Sequence, residues 1–169
     1  METLVYDTAG LVHFIASIIA LITGSLVLGM KKGTWVHRKV GYIYASSMLV
    51  LLITAFMIYQ LFGGFGIFHI AAVVSLVTLI GGMVPVILRK PEGWLTLHFS
   101  FMYWSVLGLY AAFVSEVLTR IPETPFFNMV GLATGIIMFF GGAYFYLQKH
   151  KWEKQFGDSL NQKFKNRIN

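Results

Sequence analysis

Four long segments without any Lys, Arg, Asp or Glu constrain the fold of this chain more than any other feature. They cover residues 8–30, 40–88, 93–115 and 124–148. A helix that crosses a bilayer needs about 20 predominantly apolar residues, so three of the segments predict one crossing each. The second is long enough for two, and the cluster Gly63-Gly64-Phe65-Gly66 provides a turn between helices at 40–62 and 67–88. The sequence therefore predicts five membrane-crossing helices.

The composition leaves little room for anything besides these helices, because 57% of the 169 residues are hydrophobic and 12% are charged. Soluble domains carry about twice this share of charge. The predicted fold class is all-α integral membrane, with a four-helix transmembrane bundle and a fifth, peripheral helix at 128–148. That helix has no ionisable residue within its span. Its Gly131-xxx-Gly135 motif is a packing face, either against the bundle or against a second copy in a homodimer.

Basic residues lie almost entirely at one end of the predicted helices. Twelve of the thirteen follow the first helix, the third helix or Gln148, and Arg120 alone falls on the other side. Cytoplasmic segments of membrane proteins are enriched in Lys and Arg, so the N-terminus is predicted outside and the C-terminus inside. The net charge of +6 is then explained by orientation in the lipid bilayer. No nucleic-acid partner is expected.

The composition changes at residue 148. Residues 1–148 form the predicted five-helix transmembrane domain, and residues 149–169 form a basic amphipathic cytoplasmic tail. Apolar residues recur in the tail at every fourth position, between lysines: Trp152, Phe156, Leu160, Phe164 and Ile168. This pattern favours a helix that lies on the anionic inner leaflet. The alternative is a solvated tail that merely ends the chain, since Gly157 weakens a helix.

Four histidines lie in or at the ends of the predicted helices, where the cost of burying an ionisable group makes each a functional candidate. The first and third helices run inward and place His13 and His69 at nearly the same depth. The second and fourth run outward and place His37 and His98 near the inner surface. Glu116 lies eighteen residues beyond His98, which is five turns and about 27 Å of rise on one helix face. The sequence thus predicts an outer and an inner histidine pair.

One chemistry that fits these pairs is electron transfer through haem b. Haem iron accepts two axial imidazoles, and a four-helix bundle can hold the macrocycle between them. The ligands would be His13 with His69 and His37 with His98, and Arg38 would pair with a propionate at the inner surface. The protein would then be a transmembrane oxidoreductase, with a quinol or another redox partner.

The other chemistry is a metal site near the outer surface. His13, His69 and Glu116 provide two imidazoles and a carboxylate, which are ligands for zinc, iron or copper. A metal-dependent membrane enzyme could use such a site to activate water. The chain has no cysteine, which excludes thiolate ligands and iron–sulfur clusters. A third, non-catalytic class also remains open, in which the histidines sense pH or join helices by hydrogen bonds.

Three motifs carry a resemblance to a known family. The second helix opens with His37-Arg38-xx-Gly41-xx-Tyr44, the third opens with His69, and the fourth contains His98-xxx-Met102-x-Trp104-xxx-Gly108-xx-Ala111-Ala112-xxx-Glu116. Over about residues 8 to 120 the chain resembles a family of bacterial membrane proteins catalogued only as a domain of unknown function. The resemblance implies a multi-pass protein of the bacterial inner membrane. It also implies that the four histidines and Glu116 are the site residues.

A more distant resemblance is architectural. Diheme b-type cytochromes of the transmembrane ascorbate-ferrireductase kind have a four-helix core with one histidine per helix, paired first with third and second with fourth. The chain is similar in that order of pairing. It differs in its shorter helices, in histidines that lie nearer the surfaces, and in having no recognisable ascorbate site. This resemblance implies haem binding.

Overall fold

The computed structural model describes residues 8–58, 64–89, 93–119 and 125–168, apart from the side chains of 153 and 155–168. These residues form five helices: α1 (Thr8–Gly29), α2 (Trp35–Ala55), α3 (Ile67–Leu88), α4 (Trp94–Leu118) and α5 (Phe126–Ile168). No strand occurs within the described ranges. The predicted all-α class is therefore confirmed.

Four of the helices are long and apolar enough to cross a membrane: α1, α3, α4 and the part of α5 from Phe126 to Trp152. The exception, α2, carries His37, Arg38 and Lys39 near its start. Its 21 residues nevertheless rise about 31 Å, which matches the hydrocarbon thickness of a bilayer. Because α2 also packs along α1, we treat it as a fifth crossing.

Helices α1 to α4 form the predicted four-helix bundle. α1 packs against α2 and α3 packs against α4, while smaller contacts between α2 and α3 and between α1 and α4 close the ring. In this order α1 lies diagonally opposite α3, and α2 lies diagonally opposite α4. Among the described helices α5 packs along α4 and touches α3 where the Phe126 ring meets Phe68, with centroids 6.0 Å apart, which confirms its peripheral position.

Side chains of α2 and α4 fill the centre of the bundle. Tyr44 and Met48 are buried, and the Tyr44 hydroxyl forms a 2.8 Å hydrogen bond with Ser105 Oγ. α1 makes room for the Tyr44 ring at Gly24, where an added Cβ would lie 3.0 Å from Tyr44 Cε2. On the face of α4 that carries His98, Met102, Ser105 and Leu109 are buried and Ala112 is half-buried.

α2 begins and ends earlier than the predicted 40–62. Its N-cap is Thr34, whose Oγ1 accepts the backbone N–H of His37 at 3.1 Å. The helix therefore includes Arg38 and Lys39, which the charge-free criterion had placed outside it. Both side chains are exposed, and long basic side chains at a helix end can reach the polar interface.

α5 packs on α4 through different glycines from those predicted. Cβ atoms added at Gly141 or Gly142 would contact α4 side chains, and the Tyr103 hydroxyl donates to the Gly141 carbonyl at 2.8 Å. Gly131 and Gly135 have nothing within 4 Å of their Cβ positions. The prediction that Gly131-xxx-Gly135 packs against the bundle is therefore wrong, and the homodimer alternative stays a prediction.

α5 continues beyond residue 148 to Ile168 as one helix. The predicted boundary between 1–148 and 149–169 thus marks a change of composition inside a continuous backbone element. Just past that boundary, the Trp152 ring lies 4.7 Å from Phe99 and 5.9 Å from Phe145 between centroids. These contacts hold the first turn of the predicted tail against α4. The anionic leaflet stays the predicted partner of the remainder, whose side chains lie outside the described part.

Candidate functional site

The histidines and the glutamate of the bundle form two layers, which we call inner and outer after the predicted orientation. The inner layer contains His37 and His98, and the outer layer contains His13, His69 and Glu116. α2 and α4 run in the same direction, and Tyr44 and Ser105 each lie seven residues beyond the inner histidine of their helix.

The Tyr44–Ser105 hydrogen bond fixes the register of α2 against α4. His37 and His98 therefore lie at one depth, about 10 Å from that bond. They are close enough to interact electrostatically. The structure thus places the predicted inner pair at one depth.

The backbone of α3 holds His98. Its Nδ1 lies 2.8 Å from the Gly82 carbonyl oxygen, and because a carbonyl can only accept, Nδ1 carries the proton and donates it. In a neutral ring Nε2 is then the lone-pair nitrogen, which is the atom that can bind a metal. Pro85, three residues after Gly82, lies inside α3 and has no backbone N–H. The helical hydrogen bond to the Gly81 carbonyl is therefore missing in this turn of α3.

His37 faces the same layer from the start of α2. Its Nδ1 is buried and has no hydrogen-bond partner among the described residues. One turn further along, no described residue lies within 4 Å of the position of a Cβ at Gly41.

Three cations lie beside the inner layer. Lys32, in the turn between α1 and α2, donates to three carbonyls at the end of α1, and burial lowers the pKa of its amine. Lys39 lies over the Trp35 ring, 3.8 Å from its centroid. Arg38 follows His37 directly and is exposed.

In the outer layer, α2 fixes the ring of His13. His13 Nδ1 lies 3.0 Å from Thr54 Oγ1. The Thr54 hydroxyl has one proton, which it donates to the carbonyls of Val50 and Leu51 at 2.9 and 3.0 Å, so towards His13 it accepts. Nδ1 of His13 therefore carries the proton, and Nε2 is the lone-pair nitrogen.

Glu116 and His69 reach the same layer from α4 and α3. Glu116 is close enough to His13 for an electrostatic interaction, and both side chains are partly buried. The neighbouring positions of Ser75 and Gly108 set the register of α3 on α4, which places His69 level with the last turns of α4. The structure therefore gathers the three predicted outer residues at one depth.

His69 differs from His13 and His98 in how its ring is held. It is buried in the first turn of α3, and its Nδ1 accepts the backbone N–H of Gly66 at 3.1 Å. In a neutral ring the proton is then on Nε2. Phe65 stacks on the ring with centroids 5.0 Å apart. Across the described ranges, no three His, Cys, Asp or Glu residues form a group that could hold a metal ion.

Sequence reasoning missed Thr54 and the central Tyr44–Ser105 bond. Tyr44 lies deeper in the bundle than the inner pair and bonds to Ser105. The sequence does contain a signal for Thr54, since it is a hydroxyl residue near the end of an apolar helix at the depth of His13. Its role depends on the register of α1 against α2, which that signal does not give.

The helices and their two ionisable layers define an all-α integral membrane protein. The chain belongs to the family described as Predicted membrane protein (DUF2306), whose model matches residues 10–144. The match covers the four-helix bundle and most of the apolar part of α5, and it confirms the family resemblance of the motifs. A search of curated proteins gave no match, and a search of solved structures gave none.

Proposed function

We propose that the protein is a membrane electron carrier of the b-type cytochrome kind, in which His37 and His98 would hold a haem. The inner pair carries this proposal. Its two imidazoles lie at one depth on diagonally opposed helices, and the hydrogen bond from His98 to Gly82 directs the Nε2 lone pair away from the backbone. Bis-imidazole ligation between helices of a bundle is a common way to hold haem b.

The inner layer fits the group in its donors and in its charge. His37 contributes an imidazole whose buried Nδ1 has no hydrogen-bond partner in the described part of the chain; one turn along α2, no described residue lies within 4 Å of a Cβ position at Gly41. Arg38 is exposed at the surface, where it can pair with a propionate. Bound haem would supply one-electron redox chemistry. The residues of the chain would hold it, orient it and neutralise its propionates.

The outer pair fits a second haem less well. His69 uses Nδ1 to accept the Gly66 N–H, so its Nε2 carries the proton and would have to give up the helix cap before ligating iron. His13 has the opposite arrangement, because its Nδ1 donates to Thr54. The proposal therefore assigns one haem to each chain, at the inner layer.

An absorption spectrum of the full-length protein, purified from cells supplied with a haem precursor, tests this function. We expect a Soret band and a sharp band on reduction, and both should be lost in His37→Gln and in His98→Gln. His150→Gln is the matched control, because that ring is exposed on α5. A colourless wild-type preparation would refute the proposal, and so would bands that survive both inner-layer substitutions.

The electrostatic interaction between His13 and Glu116 favours a second candidate, a metal site at the outer layer. An imidazole and a carboxylate are ligands of zinc and non-haem iron, and imidazole also binds copper. Because the described residues form no group of three such ligands, the metal would be held by these two side chains alone. Elemental analysis tests this candidate: a metal content that does not change in His13→Gln or Glu116→Gln would exclude it.

A further inference from the structure

We infer that the outward face of α2 binds one anionic phospholipid of the inner leaflet, with the lipid phosphate at Lys39 and an acyl chain beside Leu49. The inference is independent of the proposed electron carrier, because it involves neither histidine layer and no redox step. It gives a role to a set of exposed polar side chains that the bundle core does not use.

The outward face of α2 is a single stripe of exposed side chains. Its members follow one another at intervals of four and three residues, which keeps side chains on one side of a helix. The exposed fraction is 65% for Trp35, 57% for Tyr42 and 48% for Leu49. Tyr44 and Met48, on the opposite side of the helix, are buried. We call this face the α2 stripe: Trp35, Lys39, Tyr42, Ser46 and Leu49.

The chemistry of the α2 stripe changes along the helix in the order of the parts of a phospholipid. Its first three side chains end in hydrogen-bond donors: the indole N–H of Trp35, the ammonium of Lys39 and the hydroxyl of Tyr42. Its last side chain, that of Leu49, is aliphatic. The rise from Trp35 to Leu49 is about 21 Å, which is one leaflet of a bilayer about 40–45 Å thick with its headgroups. The stripe therefore extends from the inner headgroups to the middle of the bilayer.

The ammonium of Lys39 is held at the level of the headgroups. Its Nζ lies 3.8 Å from the centroid of the Trp35 ring, one turn earlier on α2. Tryptophan is enriched at membrane–water interfaces, and a cation over its face is attracted to the ring. Because helical side chains slant towards the N-terminus, the amine reaches the inner surface from a backbone position deeper in the bilayer. An ammonium has three N–H donors, so it can contact the ring and still bind a phosphate oxygen.

The positive charge at the α2 stripe lacks a carboxylate partner within the described part of the chain. Arg38 borders the stripe and is a second exposed cation. Among the side chains that the structure describes, the one carboxylate is that of Glu116, in the outer layer. That layer meets α2 at Thr54, which bonds to His13 about 22 Å along the helix from Lys39. Lipids of the inner leaflet carry negative charge, so charge complementarity selects an anionic lipid over a zwitterionic one.

Photolabelling in lipid nanodiscs tests the site directly. The full-length protein is placed in phosphatidylcholine discs with a small share of a phosphatidylglycerol analogue that carries a diazirine near its ester groups, and the labelled peptides are identified. We expect label on the inner half of α2 and a several-fold loss of it when unlabelled phosphatidylglycerol is added in excess. A phosphatidylcholine analogue with the same diazirine should label α2 several-fold less. Equal labelling by the two analogues would overturn the inference, because the face would then contact lipid without selecting it.

Substitutions separate one lysine of the stripe from the general charge of the inner surface. Lys39→Gln should lower the label on α2 about five-fold, the equivalent of about 1 kcal/mol for one basic residue near an anionic leaflet. Lys39→Arg should retain most of the label. Lys31→Gln is the matched control, because it removes the same charge from an exposed residue in the turn before α2, and it should label as the wild type does. Unchanged label in Lys39→Gln, or an equal loss in Lys31→Gln, would contradict the assignment to Lys39.

A soluble anion and the basic tail are separated from the lipid in the same experiment. Inorganic phosphate should leave the label on α2 in place; if it displaces the label as well as phosphatidylglycerol does, the site takes a soluble phosphate and the lipid proposal is wrong. Label on residues 149–169 is the internal reference and should not change in Lys39→Gln. None of these readouts involves haem. A colourless protein that selects the lipid would refute the electron carrier alone, and a haem protein that does not select it would refute the lipid site alone.

Discussion

The contact of Gly24 with Tyr44 makes a quantitative prediction for Gly24→Ala. The added Cβ would lie 3.0 Å from Tyr44 Cε2 and 3.3 Å from Val106 Cγ2. The Tyr44 side chain is 0% exposed, and its hydroxyl is bonded to Ser105. The ring therefore has no space to move into unless it breaks that bond, so α1 must shift away from α2 and α4.

Two opposing terms set the size of the effect. Overpacking a filled core lowers the free energy of unfolding by about 1–3 kcal/mol. Replacing Gly by Ala inside a helix raises it by up to about 1 kcal/mol. The variant should therefore lose about 1–2 kcal/mol of unfolding free energy. That is a factor of about 5–30 in the ratio of folded to unfolded protein.

The measurement is equilibrium unfolding in mixed micelles, with increasing denaturing detergent and helix content followed by circular dichroism. Gly29→Ala is the matched control, because this residue lies on the same helix and has nothing within 4 Å of its Cβ position. It should be neutral or slightly stabilising. Adding Val106→Ala to Gly24→Ala should show a favourable coupling, because it removes one of the clashing partners. If Gly24→Ala unfolds like the wild type, or Gly29→Ala loses as much, the packing argument is wrong.

Three other predictions follow from contacts within the bundle and from its orientation. Tyr44→Phe should lose about 0.5–1.5 kcal/mol in the same assay, because hydrogen bonds between membrane helices contribute on this scale; a larger loss would mean that the hydroxyl does more than bridge two helices. Thr54→Val keeps the side-chain shape and removes the acceptor, so the ¹⁵N spectrum of His13 should move from the Nδ1–H form towards a mixture of tautomers, and an unchanged spectrum would contradict the hydrogen-bond assignment. Since the chain has no cysteine, Gly64→Cys should react with an impermeant maleimide only from outside and Gly33→Cys only from the cytoplasm, and the reverse pattern would invert the layer names.

The sequence predicted the helices well where charge alone decides their limits. α3 spans Ile67–Leu88, as the charge-free segment and the glycine cluster predicted. α2 departs from its prediction because its start depends on the Thr34 cap, and because Arg38 and Lys39 can extend from a helix end into the interface. A criterion based on charge cannot detect either effect, since one is local backbone geometry and the other is side-chain length.

The depths of the site residues could be predicted because the rise of a helix is constant. The ring nitrogen that carries the proton could not be predicted, because it is set by a hydrogen-bond partner on another helix or in the preceding turn. His98 is protonated at Nδ1 by virtue of Gly82 on α3, and His13 by virtue of Thr54 on α2. These partners follow from helix register and rotation, which the sequence pattern leaves open.

The N-cap residues of α2 and α3 explain why the rings of His37 and His69 are bonded differently. Each stands three residues after its N-cap, from where a side chain can reach back to the N–H of the cap residue. Thr34 closes the first turn of α2 with its own hydroxyl, and the buried Nδ1 of His37 has no bond within the described residues. Gly66 has no side chain to offer, and at α3 the His69 ring turns back to the Gly66 N–H. The two histidines therefore differ at Nδ1, which has no hydrogen bond within the described residues at the inner layer and caps its own helix at the outer layer.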